Sequence, residues 1–316
     1  MNYKISKSIC KKRHKKIELN ENTPLLISFI FIVIIMTNQS IIRQSIEIAI
    51  KLCLSSIIPA IFPFMILSDY VAANFSIKDS KTSKVFQKLF SLNGIGALPF
   101  IVGNICGFPL GAKLSSKLYK DNCITKEDYE KLIPICSNPS LAFVFSAVGC
   151  GMRNSALDGL ILYIIIVIST IITGIIWKNK NSAFVFHSAS KQNCFSIVES
   201  IKSSALSCIY VSSYVIFFSI ISNLIKHAGL PNILSIISIS FLEIGNASYY
   251  ISNELSSSVL SLPLTAFSLG FSGISVYMQS ICFSPKGMNN RLYVKMKMTE
   301  GIIAFILSLI ISLVMK

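Results

Sequence analysis

The stretch NICGFPLGAK, residues 104–113, sets two glycines and a proline inside a run otherwise apolar enough to lie in a bilayer. In a helix interior each Gly costs about 1 kcal/mol and each Pro about 3 kcal/mol relative to Ala. Gly107, Pro109 and Gly111 therefore argue against one continuous spanning helix over 94–112. Irregular backbone at membrane depth is tolerated only where it is buried in protein or lines a cavity. The stretch predicts that the chain turns round inside the membrane at 106–110.

The surrounding composition supports a bilayer setting. Of 316 residues, 53% are hydrophobic and only 14% charged, with a mean hydropathy of +0.66, well outside the range of water-soluble domains. The windows 157–177, 203–225 and 259–283 each reach the roughly 20 apolar residues needed to cross the hydrocarbon layer. The net charge of +15 falls in short basic tracts between apolar windows, without interleaved aromatics or a recognition motif. It reads as loop charge on a protein whose partner is the lipid bilayer, not nucleic acid. Nine cysteines form no C-x-x-C pair and the three histidines are isolated, so neither a disulfide framework nor a metal site is expected. Seven Lys or Arg precede Pro24, and no small-residue cleavage pattern follows the first apolar run. We read 1–23 as a basic cytoplasmic tail and 24–42 as a retained transmembrane helix, with Thr23 as N-cap and Pro24 at N1.

Charge then orders the remaining segments. With the tail in the cytoplasm, 46–71 returns to a loop carrying Lys78, Lys81, Lys84 and Lys88. A full crossing by 94–112 would strand Lys113, Lys117, Lys120, Lys126 and Lys131 outside, whereas a re-entrant pair of half-helices keeps them in. The segment 132–152 runs outward, 153–156 turns, and 157–177 comes back to a cytoplasmic linker, 178–197. After an outward 203–225, a re-entrant 230–251 lets 259–283 end at the basic loop 285–297, and 301–315 closes the chain. Every Lys and Arg except Arg43, Lys51, Arg153, Lys226 and Lys316 then lies at the cytoplasmic side.

Setting Cys53 on Cys208 aligns IEIAIKLCLSSIIPAIFPFMILS with IKSSALSCIYVSSYVIFFSIISN without gaps. Each stretch is followed by a broken segment, a small-residue-rich span and a plain span. Three crossings per unit is odd, so the second unit must lie upside down relative to the first. The expected fold is an all-α polytopic membrane protein, with an extra N-terminal span plus two inverted repeats, 43–177 and 198–316. Each repeat has three spans and one re-entrant broken helix, an arrangement in which solute sites form between discontinuous helices near the midplane.

Glu243 in SISFLEIGNAS is an ionisable group with apolar neighbours on both sides, expensive unless it faces a cavity or a partner. It suits a coupling ion, proton or sodium, or a hydrogen bond to solute, and equally a structural carboxylate paired with a basic group or helix end. Asn246 would share its face if the helix continues. Gly107, Pro109 and Gly111 could expose half-helix N–H groups to an anion, or simply allow close packing. Lys113 could meet an anionic solute or snorkel to headgroups. Ser137, Asn138 and Pro139 precede an apolar run as a helix cap would, and Asn138 is a further candidate for solute contact. Gln279 is an amide at membrane depth, a ligand contact or interhelical glue. Gly270 and Gly273 allow close backbone approach, and Thr125-x-x-Asp128 caps a short cytoplasmic helix. With no H-E-x-x-H, G-x-S-x-G or Ser, His and Asp set, neither an enzyme nor a cofactor is expected.

GFPLGAK, CSNPSLAFVFSAVGCGM, FLEIGNAS and LGFSGISVYMQS, in that order, resemble the sporulation integral membrane protein YlbJ family, also called SpoVV, of the nucleoside-recognition (Gate) domain group. The resemblance covers roughly residue 45 to the C-terminus. It implies a role in endospore formation, in the cell membrane or the outer forespore membrane, moving dipicolinate from the mother cell towards the forespore. The expectation is a secondary transporter of a small anionic solute, foremost dipicolinate, able to form homo-oligomers. The alternatives are a non-transporting scaffold or assembly factor, or a carrier of a nucleoside-like solute. A polar cavity lined by Glu243, Asn246 and Gln279 would favour transport; a dry, packed centre would favour a scaffold.

Overall fold

Helices make up every regular element among the described residues of the computed structural model, 22–74, 80–178, 196–285 and 287–314. Most of the basic tail and of the linker, together with Lys78, Lys286 and Lys316, lie outside them. Four helices are long and apolar enough to cross a membrane, and two sharply bent pairs raise the number to six. The fold is that of an all-α polytopic membrane protein.

The first helix, α1 (Asn22–Thr37), ends five residues earlier than expected. The Asn38 amide donates to the Ile34 carbonyl at 2.9 Å and the Thr37 hydroxyl to the Val33 carbonyl at 3.0 Å. Side chains thus take up carbonyls of the last turn, and the chain turns 93°. Beyond the bend, α2 (Gln39–Leu52) carries the Arg43–Glu47 pair on its exposed side. It runs through a π turn, Cys53–Ile57, into α3 (Ile58–Asn74). The lysines expected in a loop instead decorate α4 (Lys81–Phe90), which buries Phe86 and Phe90 and is capped by the Ser80 hydroxyl, accepting from the Ser83 N–H at 3.1 Å. Its apolar residues recur at helical spacing, so one face packs while the lysines stay outside.

The chain breaks where the glycines and proline predicted, between α5 (Ala97–Ile105) and α6 (Leu110–Lys120). Lys113, Lys117 and Lys120 are therefore helical and not loop residues. The Thr125 hydroxyl accepts from the Asp128 N–H at 3.1 Å and starts α7 (Lys126–Cys136). Gly111 lets α6 press onto the end of α7, where an added Cβ would come within 2.1 Å of the Cys136 carbonyl oxygen. The expected span 132–152 is corrected here. It is interrupted at 137–140, after which a π-helix, Phe143–Met152, resumes and α8 (Ala156–Ile176) follows.

In the C-terminal half, α9 (Ile197–Lys226) starts at a Ser196–Glu199 capping box, buries several serines and packs against α2 and α3. Small residues give such close contact in lipid, where there is little hydrophobic drive between helices. Cys53 and Cys208 lie in the same buried cluster, with Met65, Leu110 and Val215. The next segment breaks at Glu243, between α10 (Asn232–Leu242) and α11 (Ile244–Glu254). The expected span 259–283 is present as Ser261–Cys282, with one non-helical residue, Ser272, between α12 (Ser261–Phe271) and α13 (Gly273–Cys282). Besides the 103° bend at 91–93, each half thus holds two breaks among the described residues where one was expected. The last helix, α14 (Asn290–Val314), begins inside the supposed basic loop 285–297. It crosses α12 closely at Gly270, Gly301 and Ala304.

Two outcomes follow from this packing. Gly111→Ala should lower the unfolding temperature in detergent by the equivalent of about 1–3 kcal/mol of overpacking, with a smaller effect for Gly151→Ala, whose nearest neighbour atom lies 3.3 Å from the added carbon. Maleimide should modify exposed Cys282 in the folded protein and spare buried Cys123.

Candidate functional site

The four breaks lie in contact with one another, the Ser272 hydroxyl donating to the Ser137 carbonyl at 3.5 Å. Gly107, at φ +87°, turns the chain where an added Cβ would lie 2.6 Å from the Ser140 nitrogen. That close approach lets the Phe108 N–H donate to the Asn138 carbonyl at 2.8 Å, joining the first break to the second. The Ser140 hydroxyl, not Ser137 or Asn138, caps the following helix by accepting from the Phe143 N–H at 3.1 Å. In the C-terminal half Gly273, at φ +73°, sits against the Leu242 carbonyl, which a Cβ would approach to 2.8 Å. Between the halves, the Ser280 hydroxyl donates to the Ser137 hydroxyl at 3.1 Å.

Glu243 does not sit on a continuous helical face. Its backbone is extended (φ −150°, ψ 126°), and its carboxylate accepts from the Gly245 and Asn246 N–H groups at 2.8 and 2.6 Å. A carboxylate at the positive end of a helix is favoured by both hydrogen bonding and the dipole. The Asn246 side-chain amide donates to the Ser219 hydroxyl at 2.9 Å.

A buried ion pair that sequence reasoning missed ties the halves together. Lys297 and Glu300 on α14, 1% and 0% exposed, meet at 3.0 Å. The Lys297 ammonium also donates to the Asn138 side-chain oxygen at 2.8 Å and the Ser137 carbonyl at 3.2 Å. The other Glu300 oxygen accepts from the Thr170 hydroxyl at 2.8 Å. The Asn138 amide donates to the Asn104 side-chain oxygen at 2.8 Å and the Thr170 hydroxyl at 2.9 Å. Charge counting had put Lys297 in a cytoplasmic loop. A helical stripe could have found it: Tyr293, Met296, Lys297, Glu300, Gly301, Ala304 and Ser308 recur at three and four and are all buried.

Beside this network lies a cavity of about 640 Å³, lined from both halves by Pro59, Phe108, Ser140, Phe143, Val215, Glu243, Val276 and Gln279 among others. Glu243 is the only charged residue among the described lining residues. Gln279, 2% exposed, donates to the Ser275 hydroxyl at 3.2 Å and leaves its side-chain oxygen without a hydrogen-bond partner. The remaining lining is largely apolar, as small-molecule sites usually are.

Of the expected site residues, Glu243 and Gln279 line this cavity. Asn138 joins the ion-pair network, and Asn246 supports Glu243 through its backbone. Gly107 and Gly111 serve close packing, and Pro109 precedes α6, while Phe108 between the first two breakers reaches the cavity. Lys113 lines a second cavity of about 340 Å³ with Lys117, Lys120 and Ser203. The two charges proposed to act on one solute, Lys113 and Glu243, therefore face different spaces.

Fold and cavity define a polytopic helical membrane protein with a central chamber between interrupted helices. The chain is 22% identical over 267 aligned positions to the sporulation integral membrane protein YlbJ of Bacillus subtilis (strain 168). The match covers 71% of this chain and 65% of that protein, so the chain spans less than two thirds of its curated relative. No family model and no solved structure matches the chain.

Removing the Glu243 acceptors separates its capping role from any contact with solute. Glu243→Ala should lower stability by about 1–3 kcal/mol, the cost of stranding buried donors. Glu243→Gln, which keeps one oxygen, should lose less, as read from thermal unfolding in detergent.

Proposed function

We propose that the chain is a sporulation membrane protein of the YlbJ kind that works as a secondary transporter, with its solute held in the central cavity. The observation that carries this reading is that cavity, bounded by broken segments of both halves and holding Glu243 and the unpartnered oxygen of Gln279. A scaffold has no use for a chamber of this size beside a buried carboxylate. The repeated order of half-helix, break, half-helix in the two halves, with Cys53 and Cys208 in one cluster, supports an inverted duplication of the Gate type. Such duplications place solute sites where the discontinuous helices meet.

In this reading the N-terminus is cytoplasmic, the membrane is the cell or outer forespore membrane, and the solute is dipicolinate moving towards the forespore. The relative's name supplies the link to sporulation. A dianion entering beside Glu243 meets no lining lysine or arginine among the described residues. Its two charges must then be offset by accompanying protons or sodium ions, which gives coupling a physical basis. The same lining favours a second solute class: a neutral ring-bearing molecule such as a nucleoside would stack against Phe108 and Phe143 and donate hydrogen bonds to Glu243 and Gln279.

Vesicles containing the purified protein should accumulate labelled dipicolinate down an imposed proton or sodium gradient. Ala147→Trp, which fills the cavity from the π-helix, should reduce uptake to that of protein-free vesicles while the protein stays folded. Uptake of labelled uridine in place of dipicolinate would select the second solute class. Movement of neither solute would leave the scaffold reading standing.

A further inference from the structure

We infer that the Ser137 carbonyl, the Asn138 side-chain oxygen and the Glu300 carboxylate form a monovalent-cation site whose cation is supplied by the chain itself, as the ammonium of Lys297. The three oxygens surround Nζ at 3.2, 2.8 and 3.0 Å, one for each of its protons. Each oxygen belongs to a group fixed independently of the lysine. The Ser137 carbonyl lies at the C-terminal end of α7, where the helix dipole is negative. The Asn138 amide is held through its nitrogen by Asn104 and Thr170. Glu300 is held through its other oxygen by Thr170. The cage is therefore organised before the cation arrives, and it carries one full negative charge, from Glu300.

The site lies where the second break of the N-terminal half meets α14 of the C-terminal half, so its occupant joins the halves. A free sodium or small alkylammonium ion has the charge and donor or acceptor chemistry to replace the tethered one. This assignment goes beyond solute transport and does not depend on it.

Lys297→Ala removes the propylammonium end of the side chain and leaves the cage. In detergent at fixed ionic strength, propylammonium chloride should raise its unfolding temperature by several degrees above that in choline chloride, whose cation is too bulky and has no N–H. Sodium chloride should also raise it. Wild type, and the double variant Lys297→Met with Glu300→Gln, should fold and respond equally to all three salts. If Lys297→Ala cannot be purified in choline chloride, it should be recovered when propylammonium is present during solubilisation. The inference is overturned if choline stabilises Lys297→Ala as well as propylammonium does, or if propylammonium stabilises the double variant selectively. It is also overturned if Lys297→Ala fails to fold in either salt while the double variant folds, or if the double variant itself does not fold. Stability is the readout, so a protein that moves no solute still answers the question.

Discussion

A bilayer offers no water to a peptide group, so any interruption of a helix at membrane depth must find its hydrogen bonds inside the protein. Among the described residues such interruptions lie at 106–109, 137–140, Glu243 and Ser272. The first two are joined by hydrogen bonding and the last two by close packing. The Phe108 N–H reaches the Asn138 carbonyl, and Gly107 and Gly273 remove the side chains that would keep neighbouring breaks apart. Had the breaks been scattered, each would have left donors and acceptors facing hydrocarbon, at several kcal/mol apiece. Gathering them leaves polar groups and irregular backbone in one place, and the cavity opens there because short half-helices cannot fill space as long ones do.

The Lys297–Glu300 pair obeys the same constraint, with full charges in place of peptide dipoles. At 3.0 Å and an effective dielectric near 20, two unit charges attract by about 5 kcal/mol. Withdrawing each from water costs several kcal/mol, so the Coulomb attraction alone roughly breaks even. The supporting bonds from Asn138, Thr170 and the Ser137 carbonyl make the arrangement tenable. They come from the break at 137–140 and from α8, while the charges stand on α14. The network therefore joins 137–138 and α8 of one half to α14 of the other.

The first break was legible because Gly and Pro oppose a helix through their own backbone chemistry, which needs no tertiary context. Glu243 was legible because a lone carboxylate in an apolar run demands an explanation, and charge placed a break somewhere in 230–251, although nothing local said that Glu243 itself caps it. The interruptions at 137–140 and Ser272 are written mainly in serine and asparagine, residues that helices in lipid also use for packing, so composition could not separate the two uses. Lys297 was misplaced because the positive-inside rule counts a lysine without asking whether it faces a partner. Its face, shared with Gly301 and Ala304, held the missing information. That Lys113 and Glu243 open onto different cavities depends on how α6 packs beside α9, and no local pattern encodes that.

One short segment belongs to both features of the centre. Ser140 lines the cavity and caps the π-helix, while Ser137 and Asn138, three and two residues before it, hold the Lys297 ammonium. Among the described helices the interruptions are where backbone is least restrained by its own hydrogen bonds, and local opening costs least in such places. A shift of 137–140 large enough to reshape the cavity must also lengthen the contacts around Lys297, and a secure Lys297 resists that shift. Were this segment to take a second position, an occupant of the cavity would bias it only through contacts that differ between the two. The residues placed to make them are Ser140, Phe143 and, across the space, Glu243 and Gln279. The geometry of the breaks therefore links the contents of the cavity to the ion pair through four residues of backbone, without requiring any group to bridge them directly.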